Sequence, residues 1–195
     1  MEKKGSLVRD IITLILLVVL VVAPIRIFIA QPFIVDGESM YPTFQNGNYL
    51  IVDEISYRFE KPARGDVIVF RYPGNPSIFY IKRIVGLPGE TVTIKNGNIT
   101  ITEPNGASRT LNEPFISAKD KSYNMTDKLT DTQYFVMGDN RPRSSDSRVW
   151  GPLPVHNIIG RVLFRLAPFN EVSTFPGAHH FKQIVSTSTS SGASS

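Results

Sequence analysis

The chain has 195 residues, a length that suits one domain of ordinary size with an appendage. Hydrophobic residues make up 42% and charged residues 19%, which is enough apolar material for a packed core and excludes a wholly disordered chain. The net charge is +4 and there is no dense stripe of Lys and Arg, so a mildly basic surface near anionic lipid is favoured over nucleic-acid binding. The chain has no Cys, which excludes disulfides and thiolate chemistry.

The first predicted element is the apolar run "IITLILLVVLVVAPIRIFIA", residues 11–30. As a helix, its 20 residues would span about 30 Å, the thickness of the hydrocarbon core. Lys3, Lys4 and Arg9 precede the run and favour a cytoplasmic N-terminus. We therefore predict a cytoplasmic segment (residues 1–10), a transmembrane anchor (residues 11–30) and an extracytoplasmic domain that begins at residue 31.

A cleaved signal peptide is the alternative interpretation of this N-terminus. The basic start and the apolar run 11–23 fit it, and small residues precede Pro24. However, Pro24 would directly follow the cut, where its fixed φ and missing N–H resist extended binding. The apolar run also resumes after Pro24, so the pattern favours an uncleaved anchor.

The body of the chain is rich in short β-branched and aromatic runs bounded by turns. Strands are predicted for "YLIVDEI" (49–55), "GDVIVFRY" (65–72), "SIFYIKRIVG" (77–86), "TQYFVMGDN" (132–140) and "IIGRVLFRL" (158–166). In "TVTIKNGNITIT" (91–102), the Asn96-Gly97 pair predicts a hairpin turn between two strands. These patterns predict a mainly β fold: a compact antiparallel β-sheet or partial barrel over residues 31–181, behind the N-terminal transmembrane helix.

Two polar segments stand outside this pattern. Residues 103–132 are polar and weakly patterned, and we interpret them as a variable insertion or loop region. Residues 182–195 form a Ser/Thr-rich tail of low complexity, which predicts disorder.

Ser39 is a candidate nucleophile, but a serine hydroxyl needs a base to take its proton. A Ser-His-Asp arrangement is doubtful because the three histidines, His156, His179 and His180, all come late in the chain. Lys82 lies in an apolar strand, and burial would lower the pKa of its amine until it could accept a proton. Strand lysines are usually solvated, so these residues alone leave both interpretations open.

Four segments occur in order behind the apolar run: "GESMYPTF" (37–44), "RGDVIVF" (64–70), "YIKRIVGLPGE" (80–90) and "MGDNRPRSSDSR" (137–148). Together they resemble the type I signal peptidases, the membrane-bound Ser-Lys endopeptidases. The resemblance covers the anchor and most of residues 31–165. The single anchor and small body are similar to the Gram-positive type of the bacterial enzymes.

The resemblance implies a role for each matched residue. Ser39 matches the nucleophile, Lys82 the general base, and Ser144 the hydroxyl that orients the lysine. Two structural ion pairs are implied as support, Asp146 with Arg148 and Arg83 with Asp139. The implied substrate pockets are lined by Phe33, Val35, Met40, Phe44, Val69, Tyr80 and Ile81.

At one position the resemblance is incomplete. Gly37 stands where Gram-negative relatives have a serine that helps to hold the oxyanion. The oxyanion hole of this chain is therefore expected to use the Ser39 backbone N–H, with a second donor that the sequence does not identify.

The implied activity is removal of N-terminal signal peptides from exported preproteins, by cutting after small residues at the first and third positions before the cut. It needs no metal or other cofactor. The implied partners are preproteins, the lipid bilayer and, by proximity, the secretion translocon, and the implied location is the cell membrane.

Two other functions stay open on the sequence. A catalytically silent, membrane-tethered β-domain could bind exported proteins without cutting them. Self-cleaving repressors also use Ser and Lys, but they need a DNA-binding segment where this chain has an apolar run. Nothing in the sequence alone brings Ser39, Lys82 and Ser144 together in space.

Overall fold

A computed structural model of the protein describes residues 3–22 and 30–181. Helix α1 runs over Lys3–Leu17 and continues as a π-helix over Val18–Val22. In these described stretches, no helix combines the length and the apolar character needed to cross a bilayer. The predicted anchor falls partly on residues 23–29, which lie outside the described residues.

Helix α1 begins before the predicted anchor, at Lys3, because Lys and Arg sustain a helix nearly as well as apolar residues do. The predicted end of the anchor needs a correction. Ala30 belongs to the first strand, where it pairs with Asp53.

Twelve strands lie within residues 30–181: β1 Ala30–Ile34, β2 Tyr49–Asp53, β3 Val67–Tyr72, β4 Asn75–Gly86, β5 Thr91–Lys95, β6 Asn98–Thr102, β7 Ser108–Thr110, β8 Met125–Lys128, β9 Gln133–Met137, β10 Leu153–Pro154, β11 Ile158–Ala167 and β12 Ser173–Thr174. They form two sheets. The large sheet has the order β1-β2-β11-β3-β4-β9-β10, with β12 paired to β11, and the small sheet has the order β7-β6-β5-β8. All pairs are antiparallel, which confirms the predicted mainly β, antiparallel fold.

The large sheet carries most of the core. The residues Val67–Phe70 of β3 are buried without alternation, because both faces of this central strand are covered. One apolar cluster includes Met40, Phe44 and Val69, and another includes Phe70 and Ile84. Because four antiparallel steps separate β1 from β4, these two strands run in the same direction.

The small sheet is organised by the predicted hairpin. Asn96 and Gly97 have φ angles of 51° and 73°, so the turn joins β5 directly to β6 in the predicted register. Val92, Ile94, Ile99 and Ile101 alternate with polar residues and are buried in one cluster.

The interpretation of residues 103–132 as a loop is wrong in part. Strand β7 pairs with β6 and strand β8 pairs with β5, so both complete the small sheet. Their sequences, "SRT" and "MTDK", lack apolar alternation because these edge strands bury little of either face.

The remaining helices are short. Helix α2 covers Ser147–Trp150, and 3-10 turns cover Ser56–Arg58, Arg141–Arg143, Val155–Asn157 and Phe169–Glu171. The predicted disordered tail, residues 182–195, lies outside the described residues.

Candidate active site

Ser39 lies in a turn that follows β1, residues 36–44, which we call the Ser39 turn. Helix-like hydrogen bonds join Tyr41 N to Glu38 O at 3.1 Å and Phe44 N to Met40 O at 2.9 Å. The side chains of Met40 and Phe44 are fully buried and attach the turn to the core. Ser39 is thereby held half-exposed at the surface of the large sheet.

Lys82 reaches Ser39 from strand β4, where it is paired with Ile68 of β3. Its Nζ donates to Ser39 Oγ at 2.7 Å and to the carbonyl oxygen of Ile81 at 2.9 Å. The Lys82 residue is only 3% exposed. The structure therefore brings together the two residues that the sequence singled out, although 43 positions separate them.

Burial is the main cause that lowers the pKa of Lys82, from 10.5 to about 8. The negative charges of Asp146 and Asp139 act in the opposite direction and raise this pKa. An amine with a pKa near 8 is neutral in about one molecule in ten at pH 7, far more often than an ordinary lysine. In its neutral form Lys82 can accept the proton of the Ser39 hydroxyl.

Ser144 lies beside the nucleophile, and Gly138 makes this approach possible. A β-carbon at Gly138 would overlap with Ser144 Oγ and with the Ser39 carbonyl oxygen. Ser144 Oγ is buried and has no hydrogen-bond partner in the described part of the chain. The structure thus records no hydrogen bond from Ser144 to Lys82, and the role of Ser144 in orienting the lysine stays a prediction.

Arg83 and Asp139 form a buried ion pair directly behind the site. Arg83 Nε donates to Asp139 Oδ1 at 2.8 Å and Arg83 Nη2 to Asp139 Oδ2 at 2.6 Å, and both side chains are fully buried. The hydroxyl of Thr43 also donates to Asp139 Oδ2. Asp139 therefore connects strand β4 with the Ser39 turn.

The second predicted ion pair, Asp146 with Arg148, forms in the loop that leads to α2. Arg148 Nε and Nη2 donate to the two oxygens of Asp146 at 2.8 and 2.9 Å. Asp146 Oδ2 also accepts the backbone N–H of Gly138 at 3.0 Å, and Asp146 caps helix α2 by accepting the N–H of Arg148. This pair fixes the chain on both sides of Ser144.

Two supporting carboxylates were missed in the sequence. Glu113 forms a buried ion pair with Arg141, and Asp120 pairs with Arg148 at 3.0 Å. Both come from residues 103–132, 28 positions before their partners. The local sequence carries no signal for these contacts, because each carboxylate stands in an ordinary polar segment.

The Ser39–Lys82 pair opens into a cleft of about 320 Å³. Five of the seven predicted pocket residues line it: Phe33, Val35, Val69, Tyr80 and Ile81. Met40 and Phe44 do not line this cleft and belong to the apolar cluster beneath it. Glu38 and Arg143 lie at the cleft and form an exposed ion pair at 2.6 Å.

The backbone near Ser39 bears on the predicted oxyanion hole. The N–H of Gly37 donates to Asn46 Oδ1 at 2.9 Å, so it is already engaged. The Ser39 carbonyl oxygen accepts the N–H of Asn140 at 3.0 Å, which fixes the peptide plane after the nucleophile. The Ser39 N–H remains the predicted first donor to an oxyanion.

A serine whose hydroxyl contacts a buried amine of lowered pKa is the arrangement of a serine hydrolase that uses lysine as its base. The sequence model of the family described as "Signal peptidase, peptidase S26" matches residues 8–167. Probable signal peptidase I-1 of Synechocystis sp. (strain ATCC 27184 / PCC 6803 / Kazusa) is 38% identical over 169 residues, 83% of each chain. Signal peptidase I S of Bacillus subtilis (strain 168) is 37% identical over 183 residues, 88% of this chain and 95% of its own.

A crystal structure of a signal peptidase I from Enterococcus faecalis V583 is 32% identical. It covers 52% of this chain and 97% of its own length, with a TM-score of 0.44. The family model and the two relatives decide the assignment. The chain belongs to the signal peptidase family, peptidase S26, and the predicted resemblance is confirmed.

Proposed function

We propose that the protein is a membrane-bound serine endopeptidase that removes N-terminal signal peptides from exported preproteins. Ser39 is the nucleophile and Lys82 the general base. The observation that carries the proposal is the 2.7 Å contact between the buried Lys82 Nζ and Ser39 Oγ at the cleft. Membership of the signal peptidase family supports the substrate class.

The substrate is proposed to bind as an extended strand between two open sheet edges. Strand β1 is the last strand of the large sheet, and β4 pairs with β9 only from Arg83 to Gly86. Among the described residues, the stretch of β4 before Lys82 has no partner in β9 and β1 has no outer neighbouring strand, so both can pair with an extended peptide. Both strands run toward the Ser39–Lys82 pair. A peptide paired with them would therefore place the bond to be cut next to Ser39.

The cleft between these edges suits small side chains. Its walls include the apolar residues Phe33, Val35, Val69 and Ile81. Phe33 and Phe79 both line it, and their rings pack edge to face with centres 5.5 Å apart. A narrow apolar cleft accommodates small residues at the first and third positions before the cut and excludes large ones.

Catalysis proceeds through an acyl-enzyme. Ser39 Oγ attacks the substrate carbonyl while Lys82 Nζ accepts its proton, and the Ser39 N–H holds the oxyanion. The Lys82 ammonium then protonates the leaving amine. Neutral Lys82 next takes a proton from water while the water oxygen attacks the ester carbon. The bond to Ser39 Oγ then breaks, Lys82 returns the proton to Oγ, and the signal peptide leaves with a free carboxylate.

Ser144 and the two ion pairs are proposed to support this cycle. The buried, unpartnered oxygen of Ser144 is available to accept a hydrogen bond from Lys82 once the amine turns away from Ser39. Arg83–Asp139 and Asp146–Arg148 hold the surrounding backbone and do not contact the substrate.

The membrane topology is part of the same proposal. Residues 11–29 anchor the chain, residues 1–10 face the cytoplasm, and the peptidase domain, which begins with β1 at Ala30, lies outside. Ser39 follows Ala30 by nine positions, and even a fully extended stretch of that length reaches only about 30 Å. The nucleophile would therefore act close to the lipid surface, where preproteins leave the translocon.

The test is cleavage of a preprotein in detergent by the intact chain, Ser39→Ala and Lys82→Ala, with the product N-terminus sequenced. Only the intact chain should cut, after a small residue. Lys95→Ala is the matched control, because Lys95 is an exposed strand lysine on the small sheet and its loss should leave cleavage unchanged. Cleavage by Ser39→Ala would show that the nucleophile is wrong. If the intact chain cuts no preprotein, the silent binding domain is the better interpretation.

A further inference from the structure

The described chain ends in a segment that packs behind the Ser39–Lys82 pair. After β12 pairs with β11, residues 175–181 cross the large sheet; we call these residues the C-terminal strap. The strap lies beyond residues 8–167, the part of the chain that the family model matches. None of its residues lines the cleft, so it has no place in the substrate path described above.

The strap contacts the buried ion pair next to Lys82. Arg83 Nη1 donates to the carbonyl oxygen of Gly177 in the strap and, at 2.9 Å, to that of Gly65. The other two nitrogens of this guanidinium donate to Asp139, so all three nitrogens have a partner. Since Arg83 is fully buried, the Gly177 carbonyl satisfies a charged donor that water does not reach.

An aromatic cluster attaches the strap to the same guanidinium. The Arg83 guanidinium carbon lies 3.9 Å from the centre of the Phe115 ring. The ring of His179 lies 5.2 Å from that of Phe115 and 4.6 Å from that of Phe181. The backbone N–H of His179 also donates to the backbone carbonyl oxygen of Gly65 at 3.4 Å. Ring packing and backbone contacts therefore hold the strap against Arg83 from two sides.

Gly177 also touches the Ser39 turn. Its φ of +76° favours glycine, and a β-carbon there would overlap with the Thr43 methyl group. The Thr43 hydroxyl donates a hydrogen bond to Asp139. Arg83, Asp139 and Thr43 thus form a cross-brace between the Lys82 strand and the Ser39 turn, and Gly177 contacts two of its three members.

We propose that the C-terminal strap is a positioning element of the peptidase: by closing on the cross-brace, Gly177 and His179 fix the distance between Lys82 and Ser39. This rests on the proposed function, because that distance governs proton transfer from the nucleophile. A displacement of about 1 Å in a reacting pair can cost on the order of 100-fold in rate. Because the strap does not touch the cleft, its disturbance should lower kcat and leave KM unchanged.

The first test compares Gly177→Ala with Gly106→Ala. Both glycines have a positive φ, +76° and +87°, so both substitutions strain the backbone. Only the Gly177 variant meets other atoms, because Gly106 has nothing within 4 Å of a β-carbon. We expect kcat to fall by about 10-fold or more in Gly177→Ala relative to Gly106→Ala, with equal KM. A kcat within twofold of the control, or a loss confined to KM, would overturn the proposal.

The second test avoids backbone strain and covers the case in which Gly177→Ala does not fold. His179→Ala removes a ring from the aromatic cluster, whereas His180→Ala removes its exposed neighbour. The His179 variant should lose kcat, in the same direction but less strongly, and the His180 variant should retain it. Equal kcat values in these two folded variants would contradict a positioning role.

A third measurement does not depend on cleavage and so separates this proposal from the proposed function. The pH dependence of Lys82 labelling by acetic anhydride, read by mass spectrometry, gives the pKa of the amine directly. We expect a higher pKa in His179→Ala than in His180→Ala, because a loosened Ser39 turn lets water reach Lys82. Identical values would overturn the strap proposal even if no preprotein were cut, and a shift would support it in that case too.

Discussion

The large and the small sheet are built from similar short strands, but they bury different side chains. The small sheet buries an alternating set of aliphatic residues, among them Val92, Ile94, Ile99 and Ile101. The large sheet and the loop that follows β9 also bury charged residues: Lys82, Arg83, Asp139, Arg141, Asp146 and Arg148. A hydrophobic core is sufficient to form a sheet, whereas the proposed chemistry needs buried charges that are each held by a partner.

The small sheet nevertheless takes part in building the site. The segment between β7 and β8 supplies Glu113 to Arg141 and Asp120 to Arg148. These carboxylates stabilise the loop that carries Ser144. The strands of the small sheet therefore form an apolar framework, whereas the charged support of the site is supplied by residues from both the large sheet and the segment between β7 and β8.

The largest expected effect is on activity, for Lys82→Met. Preprotein cleavage should fall by about 1,000-fold or more, because this variant removes the only proposed base. The protein should unfold at the same or a higher temperature. Folding lowers the pKa of Lys82 from 10.5 to about 8, so at pH 7 the folded protein holds a charged amine in a buried site. This destabilisation is fully present below pH 8 and disappears as the pH rises from 8 to 10.5.

Cleavage rates and thermal unfolding curves check both parts of this prediction. Activity within tenfold of the intact chain would mean that another group accepts the proton. A large loss of stability would mean that Lys82 supports the fold, contrary to the contrast drawn between the two sheets.

The next effect is on the stability of the charged region. Asp139→Ala leaves Arg83 buried without its carboxylate and should lower the free energy of unfolding by about 3–5 kcal/mol. Urea denaturation measures this value. Asp131→Ala is the control, because Asp131 is exposed, and it should change stability by less than about 0.5 kcal/mol. Similar values for the two variants would show that the buried pair contributes little.

In the small sheet, Ile101→Ala should cost about 2–4 kcal/mol of stability, because it leaves a cavity in the apolar cluster. The kcat of the folded protein should stay within about twofold of the original, since neither Ser39 nor Lys82 belongs to this cluster. Parallel denaturation and steady-state kinetics test the separation. A marked fall in kcat would show that the framework itself tunes the site.

A smaller effect concerns pH. Below about pH 8, kcat/KM should fall by about tenfold for each pH unit, because Lys82 becomes protonated and cannot accept the Ser39 proton. Ile101→Ala should show the same profile as the intact chain, because the titrating group, Lys82, lies in the large sheet. A flat profile from pH 5 to pH 10 would contradict lysine as the base.

The sequence predicts the strands well where apolar residues alternate or cluster, as in β3, β4 and the β5–β6 hairpin. It fails for β7 and β8, whose edge positions need no apolar pattern. Ser39 and Lys82 could be identified only through the family motifs. Their contact depends on how β4 packs against the Ser39 turn, and no local sequence pattern predicts that packing.

The supporting contacts are harder still to predict. Arg83 and Asp139 are 56 positions apart, and the strap joins them from 94 positions beyond Arg83. A buried carboxylate such as Glu113 has the same appearance in sequence as an exposed one. Which charges become buried is decided by packing between distant segments, and this is the part of the site that only the structure provides.

The smallest effect is expected on the outer face of the small sheet. The Thr93 hydroxyl lies 3.2 Å from that of Thr126 on the neighbouring strand, in contact with solvent. Thr93→Val keeps the β-branched shape and exchanges one exposed hydrogen bond for water contacts, so stability should change by less than about 0.5 kcal/mol. Urea denaturation measures the change in the free energy of unfolding, and Ile101→Ala, measured in parallel, gives the loss for a buried residue of the same sheet. A loss above about 1 kcal/mol would mean that polar pairs also hold the small sheet, and its description as a purely apolar framework would have to be abandoned.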